Sequence, residues 1–449
     1  MQPTNQKHRV LILGGGFAGL YAAQALKHAP VQVTVLDRRN FHLFQPLLYQ
    51  VATGSLSPGE IAAPLRGVLS KQKNTRVLLG EATDIDPAAK KVLLKDGESI
   101  EYDSLLVATG SQSTFFGHDE WKTWAPPLKS IEDATRIRHK ILAAFEAAER
   151  ITDPDERRAW LTFVIVGAGA TGVELAGALG EIARHTLKND FRSIHPADAR
   201  ILVLDTAPRV LATYPEDLSH RAEHALLKLG ARVRTGVMVT CIDGDGVTIR
   251  TAAGSEHIPS HTVIWAAGVA ISDFGKQLAK RTSAPTDKGG RIKVNPDLTV
   301  PNFPEIFVTG DLAYLTRPDG RPLPGVAQVA IQTGAYAAKT IAKRLKGERA
   351  EKPFHYFDKG DLAVIGRAAA VANVFGIHLS GLPAWLVWLF IHLLYIVEFQ
   401  SRILVLIEWG FLYLTYNRGA RLITGEAAAK FAEGEAKSGA AASAAAPRS

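Results

Sequence analysis

Two groups of glycines stand at spacings that suit phosphate chemistry. Gly14, Gly16 and Gly19 form one G-x-G-x-x-G pattern, and Gly167, Gly169 and Gly172 form a second. In such a turn one glycine permits the tight bend, one lets the backbone approach a pyrophosphate, and one lets a helix pack against a strand. The N–H groups at the helix start then face the phosphate charge. An acid follows each turn: Asp37 lies 23 residues beyond Gly14, and Asp205 lies 38 beyond Gly167. Carboxylates at those places can accept ribose hydroxyls. Asp205 would also repel a 2′-phosphate, which favours NADH over NADPH, although Arg209, four residues on, works against that preference. A lone match arises equally where a helix packs tightly on a sheet, and strand-end acids also cap turns. Two complete sets in one chain point to electron transfer between two dinucleotides, most simply a nicotinamide and a flavin.

The turns need a strand before them and a helix after. Residues 10–13 (VLIL) supply a short apolar strand, an alanine-rich helical stretch follows the glycines, and residues 31–36 alternate valine with glutamine and threonine. The same order returns at residues 163–166, with another glycine turn, another alanine-rich helix and a strand at 201–204. The chain thus contains a βαβ unit twice. Later strands at 105–107 and 263–265 end in small-residue turns, the first in Ala108, Thr109 and Gly110, the second in Ala266, Ala267 and Gly268. A strand at 306–309 ends in Gly310 and Asp311, and a helix is expected from about Gly325 or Val326 through Lys339 and Lys343.

Length and composition agree with this organisation. A chain of 449 residues, 47% apolar and 21% charged, can bury two to three cores and is neither collagenous nor disordered as a whole. Its one cysteine, Cys241, cannot form an intrachain disulfide, no Cys/His cluster points to a metal, and a small buried hydrophobe is the plain reading of it. The net charge of +8 leaves nucleic acid, an anionic membrane or no specific partner open. The N-terminus lacks the pattern of a secretory or transit peptide, so cytosolic synthesis and residence are expected. Residues 426–449, rich in alanine, read as a disordered tail.

Residues 8–345 resemble the flavoproteins with two dinucleotide-binding domains, in which an acid at the position of Asp311 hydrogen-bonds the flavin ribityl chain; a helix N-cap is its plain alternative. Disulfide reductases of that superfamily need paired cysteines, as do sulfide-oxidising members, and this chain has one. The resemblance sharpens to the type II, non-proton-pumping NADH:quinone oxidoreductases at residues 40–54 (NFHLFQPLLYQVATG), 327–332 (AQVAIQ), 358–370 (DKGDLAVIGRAAA) and 413–425 (YLTYNRGARLITG). It implies that the first unit holds FAD through Gly14, Gly15, Gly16, Phe17, Ala18, Gly19, Asp37, Ala82, Thr109, Gly110, Gly310, Asp311, Ala327, Gln328 and Lys359. It implies that the second holds NADH through Gly167, Gly169, Gly172, Asp205 and Gly268.

The same resemblance makes Glu174, Gln328, Gln332 and Lys359 the residues nearest the chemistry. Gln328 and Gln332 share a helix face at a spacing of four, and Ala327, Ala330 and Ala335 keep that helix slim. Their amides can hydrogen-bond quinone carbonyls without carrying charge into an apolar slot; ordinary polar positions on a packed helix are the alternative. Lys359 would add a cation beside the flavin, or be a solvated loop lysine. Glu174 is expected in the first turn of the second unit's helix, where the macrodipole alone would favour a carboxylate.

Residues 382–397 form an uncharged apolar run of sixteen, short of the roughly 20 that a spanning helix needs. Beyond it Glu398, Arg402 and Glu408 fall with Ser401 on one arc of a helix. Trp385, Trp388 and Trp409 suit a headgroup boundary, and Arg418 and Arg421 suit anionic lipid; a helix pair facing the core or a second copy is the alternative.

The expectation is therefore an α/β protein with two Rossmann-like three-layer domains and a C-terminal membrane-associated helical region. The FAD domain is expected at 1–115 and 290–350, the NADH domain at 116–289, and the membrane-anchoring region at 351–425. The function expected is FAD-dependent transfer of two electrons from NADH to a membrane quinone in a respiratory chain, without ion pumping. The setting is a peripheral, monotopic position on the cytoplasmic side of the cell membrane, with no nucleic acid or metal, and a homodimer by family resemblance. The rivals are a soluble NAD(P)H-dependent reductase of a ferredoxin-like protein and a non-catalytic, flavin-bound protein that responds to NADH.

Overall fold

A computed structural model describes residues 7–348 and 352–424, so the expected tail at 426–449 lies outside the described residues. Contacts divide these residues between two compact units. One lies within Met1–Leu43, Ala62–Gln112 and Val269–Asp358, the other within Phe44–Ile61, Ser113–Gly268 and Lys359–Ser449. The grouping departs from the sequence boundaries at several places, and the expected C-terminal region is not a unit of its own but is divided between the two at Asp358 and Lys359. Segment 269–289 joins the first unit because Phe274 and Leu278 of its helix Asp273–Thr282 sit in that unit's core. Segment 44–61 joins the second.

The first unit is built on a six-stranded sheet in the order Thr299–Val300, Phe303–Val308, Ser104–Val107, His8–Leu13, Val31–Asp37, Thr75–Leu79. All pairings are parallel except that of the two-residue edge strand with Phe303–Val308. Its central strands read as near-continuous apolar runs because both faces are covered. The helices Phe17–Ala25 and Ala327–Leu345 pack on each other, with Gly334 so close to the Ala18 carbonyl oxygen that a Cβ there would lie 2.1 Å from it. The other face joins Leu11, Leu13 and Leu105 to Ile85 and Val92 of the antiparallel sheet Ala82–Asp86, Lys91–Leu94, Ser99–Glu101. Three layers result, as expected.

The second unit repeats the plan on a four-stranded parallel sheet in the order Ala231–Arg234, Arg200–Leu204, Thr162–Val166, Thr262–Trp265. One face carries the helix Ala170–Glu181; the other packs on the antiparallel strands Met238–Ile242, Gly246–Thr251 and Gly254–Pro259. Cys241 corrects the sequence reading: it is exposed, because it lies on the edge strand of this small sheet with its side chain away from the core, and burial does not explain it.

The same unit ends in the antiparallel strands Asp361–Gly366, Ala369–Val374 and Ile377–Ser380 and the helices Leu382–Tyr395 and Phe399–Thr415. The first strand presses on helix Ala170–Glu181 at Gly177, where a Cβ would lie 1.7 Å from the Ile365 carbonyl oxygen. No helix among the described residues is long and apolar enough to cross a membrane.

Candidate functional site

Strand register decides what meets at the edge of the first sheet. Leu13 pairs with Leu36 and with Val107, and Val107 pairs with Val308. The residues just beyond those ends therefore gather at one carboxyl edge: Gly14, Asp37, Thr109, Gly110, Gly310 and Asp311. Ligands of open α/β sheets bind at such edges. Gly14 has φ +100°, and a Cβ on it would lie 2.4 Å from the Ala108 carbonyl oxygen; a Cβ on Gly19 would lie 1.8 Å from the Gly14 carbonyl oxygen. By contrast nothing lies within 4 Å of a Cβ at Gly16, the residue that opens helix Phe17–Ala25, or at Gly110. The turn is closed towards the protein and open above the helix start, which is the shape a pyrophosphate needs.

Asp37 accepts the Gly15 N–H at 2.5 Å and the Arg39 N–H at 2.8 Å. Two lone-pair sites remain for ribose hydroxyls. Asp311 accepts the Ser111 hydroxyl at 2.5 Å, and the Gly310 N–H donates to the Thr333 hydroxyl at 3.0 Å, which fastens this strand end to helix Ala327–Leu345. The Thr109 and Ser272 hydroxyls are 2.6 Å apart. Ala82 opens the small antiparallel sheet just after Gly80, whose N–H donates to the Asp37 carbonyl at 2.9 Å. Sequence reasoning missed His42, quoted only within its segment: it is buried, its Nδ1 lies 2.9 Å from the Gly15 carbonyl oxygen, and its ring meets Phe17 edge-on at 5.1 Å. Burial lowers its pKa and keeps it neutral.

The second turn repeats the device. A Cβ on Gly167, at φ +110°, would lie 2.8 Å from the Ala266 carbonyl, one on Gly172 would lie 1.9 Å from the Gly167 carbonyl oxygen, and Gly169 opens onto space. Asp205 accepts the Ala168 N–H at 2.6 Å and the Ala207 N–H at 2.8 Å, matching the bonds of Asp37 position for position. Gly268 has φ +71° and lies under the exposed Phe116 ring.

Helix Ala327–Leu345 starts where expected, with Val326 as N-cap. Gln328 and Gln332 are both half-buried on it. The Gln332 amide bridges the backbone of Phe357 twice, donating to its carbonyl and accepting its N–H, each at 2.9 Å. Its amide is thus largely committed to the protein. Lys359, in the second unit, donates to the Tyr395 hydroxyl at 2.8 Å.

Glu174 departs from its expected setting. The helix begins at Ala170, so Glu174 stands in the second turn, and burial outweighs the macrodipole: its pKa is pushed up to about 8, with a bond to the Val364 backbone the smaller, opposing cause. It lines a cavity of about 60 Å³ with Tyr49, Gln50, Glu181, Trp388, Trp409 and Arg418, a constellation no sequence spacing announces. The Trp388 and Trp409 rings lie 5.0 Å apart at a tilt of 38°, and Trp409 Nε1 donates to Gln50 at 2.7 Å. Both rings are buried, as is Arg418, which pairs with Glu181 at 2.8 Å; Arg421 pairs with Asp190. Trp388, Trp409 and Arg418 therefore serve the fold, and their expected lipid contacts are corrected, because all three are buried inside the second unit; Arg421 is held there by Asp190. Of the expected polar arc, Ser401 is buried with Val405 and Trp409 while Glu408 stays exposed, and the rest of the exposed side is mainly apolar.

The profile of the pyridine nucleotide-disulphide oxidoreductase family matches residues 8–334, which defines the class. Within it, the chain is 46% identical over 436 residues to the type II NADH:quinone oxidoreductase Ndh of Mycobacterium tuberculosis, covering 95% of this chain and 93% of that one. It is 47% identical over 428 residues to NdhA of the same organism, covering 94% and 90%. The chain belongs to the type II NADH:quinone oxidoreductase family. The solved structure of NDH2 from Plasmodium falciparum in complex with NADH shares the fold at a TM-score of 0.83 and 20% identity, covering 92% of this chain and 99% of that one.

Proposed function

We propose that this protein is a FAD-dependent oxidoreductase that passes two electrons from NADH to a membrane quinone. The observation that carries the reading is the duplicated glycine turn, each copy closed towards the protein, open above a helix start and tied to a strand-end acid. The first unit, at 1–115 and 290–350 in the sequence division, would hold FAD, with Gly14 to Gly19 and Asp37 at the adenosine end and Asp311 and the start of helix Ala327–Leu345 further along. The second, at 116–289, would take NADH through Gly167, Gly169, Gly172 and Asp205. When bound, FAD takes two electrons from NADH and gives them to the quinone.

The chain's own residues position and insulate. Neutral His42 supports the phosphate turn from beneath without adding charge. Gln328 offers an uncharged amide for a quinone carbonyl, while Gln332 fastens Phe357 beside the same helix. Glu174 stays protonated near neutral pH, so it can donate a hydrogen bond or a proton within its cavity. The soluble-reductase and non-catalytic readings draw no support from relatives at this identity.

The finer setting is a monotopic protein on the cytoplasmic face of the membrane, as a homodimer. What supports the membrane is an outward apolar face: Leu382, Leu386, Phe390 and Leu394 recur every four residues and are all exposed, joined by Ile403, Ile407, Phe411 and Leu414 of the next helix. Burial holds His392 down to about 4, so the one histidine of the first helix carries no charge there.

Absorbance of the purified protein tests the reading. Flavin absorbance should fall on anaerobic NADH addition and return with a short-chain quinone. A colourless polypeptide that stays inert when given FAD would overturn it.

A further inference from the structure

Asp205 is followed by a loop, residues 206–215, that leads into helix Glu216–Lys228. Arg209 stands in its middle and spends its guanidinium on the loop itself. Nη1 donates to the carbonyls of Tyr214 at 2.9 Å and Leu211 at 3.3 Å, and Nη2 donates to that of Ala212 at 2.9 Å. A planar fork can gather three converging carbonyls in this way. Leu211 adopts φ +48°, a conformation that a branched residue holds only where its surroundings impose it. With that backbone, the Leu211 N–H donates to the Ala168 carbonyl at 2.8 Å. Ala168 belongs to the phosphate turn, and its own N–H is held by Asp205.

The bonds close a ring: Asp205 to Ala168, Ala168 to Leu211, Leu211 to Arg209, and Arg209 back along four residues of chain to Asp205. We propose that Arg209 is a positioning residue of the NADH site, bracing the ribose-binding acid against the phosphate turn through the Leu211–Ala168 bond, and thereby withholding its charge from the place where a 2′-phosphate would lie. The inference rests on the second turn being the NADH site. It reverses the expectation that Arg209 softens the preference for NADH: an arginine accommodates a 2′-phosphate through donors turned towards it, and here three of its five N–H groups, including both on Nη1, are held by carbonyls of its own loop. Selectivity then comes from Asp205 undiluted, and Arg209 contributes geometry to both nucleotides alike.

Steady-state kinetics of the full-length holoenzyme decide it. Arg209→Ala should raise KM for NADH about tenfold, the loss expected for one or two charge-assisted hydrogen bonds, with kcat and quinone KM nearly unchanged. Arg209→Lys, which keeps a donor but not the fork, should fall between. The ratio of NADPH to NADH efficiency should stay level in both. A selective fall in NADPH use would mean that Arg209 meets the 2′-phosphate, and an unchanged KM for NADH would mean that it positions nothing; either overturns the proposal. If Arg209→Ala does not fold, Asp205→Ala and the double variant Asp205→Ala/Arg209→Lys replace it. An equal ratio of NADPH to NADH affinity in the two supports the inference, and a loss in the double that is selective for NADPH sinks it. A wild-type protein that holds flavin yet never oxidises NADH would instead defeat the parent reading.

Discussion

Glu181 and Arg418 are 237 residues apart in the chain and 2.8 Å apart in the fold, with side chains only 9% and 2% exposed. The pair is the hinge of a wider network. The second Glu181 oxygen accepts the Arg367 N–H at 2.5 Å, and the second Arg418 terminal nitrogen reaches the hydroxyls of Thr53, at 3.2 Å, and Ser55. Four segments of the second unit thus meet on one buried charge pair. Removing one partner strands the other charge, which costs about 3–5 kcal/mol, whereas replacing both by apolar groups is far milder. Arg418→Met should therefore lower the thermal midpoint sharply, and Glu181→Leu/Arg418→Met should recover most of the loss. Tryptophan fluorescence suits the measurement, since Trp388 and Trp409 line the same cavity. Equal midpoints for single and double variants would refute the argument.

Glu174 gives the fold a pH dependence of known sign. Its pKa rises on folding from 4.5 to about 8, so between those values the folded chain holds a proton that the unfolded chain releases. Stability from this group is fully present below the lower value and is lost as pH rises through the upper one, at most a few kcal/mol in all. Glu174→Gln keeps the shape and removes the titration. Thermal midpoints from about pH 5 to about pH 9 should fall less steeply for the variant than for the native chain. Parallel curves would show that Glu174 does not titrate in this range.

The two glycine turns can be broken separately. A Cβ on Gly19 would overlap the Gly14 carbonyl oxygen, and one on Gly172 would overlap that of Gly167. Gly19→Ala should yield protein depleted of flavin, read as lost absorbance near the flavin bands. Gly172→Ala should purify yellow yet react slowly with NADH, with chemical reduction by dithionite and reoxidation by quinone intact. Flavin lost from Gly172→Ala but retained by Gly19→Ala would reverse the assignment of the two units.

The dinucleotide framework was legible because it is written locally: each strand, glycine turn and helix occupies a short run, and the acids follow at fixed intervals on the neighbouring strand. Strand Thr162–Val166 and helix Ala327–Leu345 lie within a residue or two of their expected places. What escaped was the matter of facing. Trp388, Trp409 and Arg418 have the composition of a membrane boundary, but residue type does not say whether a ring turns outward or meets Gln50 from across the chain. Arg209 shows the same gap at closer range, since its proximity to Asp205 was visible and its commitment to three carbonyls was not. Long-range partners of polar groups are settled by packing, and one sequence carries little record of them.

The C-terminal helices have an inner and an outer face, and the outer one is mainly apolar, with Gln400 and Glu408 among its exposed polar residues. Ala384 and Trp388 face inward on the first helix and Ser401, Val405 and Trp409 on the second, while Leu386, Phe390 and Ile407 are 52%, 62% and 59% exposed. Burying such side chains in a bilayer boundary gains about 1–2 kcal/mol each after allowing for partial exposure. Leu386→Ser/Phe390→Ser/Ile407→Ser should therefore weaken partitioning onto anionic phospholipid vesicles by roughly a hundredfold or more. Leu227→Ser is the control, because Leu227 is also 59% exposed but lies on helix Glu216–Lys228, so it should partition like the native chain. Vesicle flotation reads the difference, and sedimentation of the detergent-free protein separates the competing occupant. If the triple variant becomes monomeric while its vesicle binding stays unchanged, the apolar face belongs to a second copy of the chain and not to lipid.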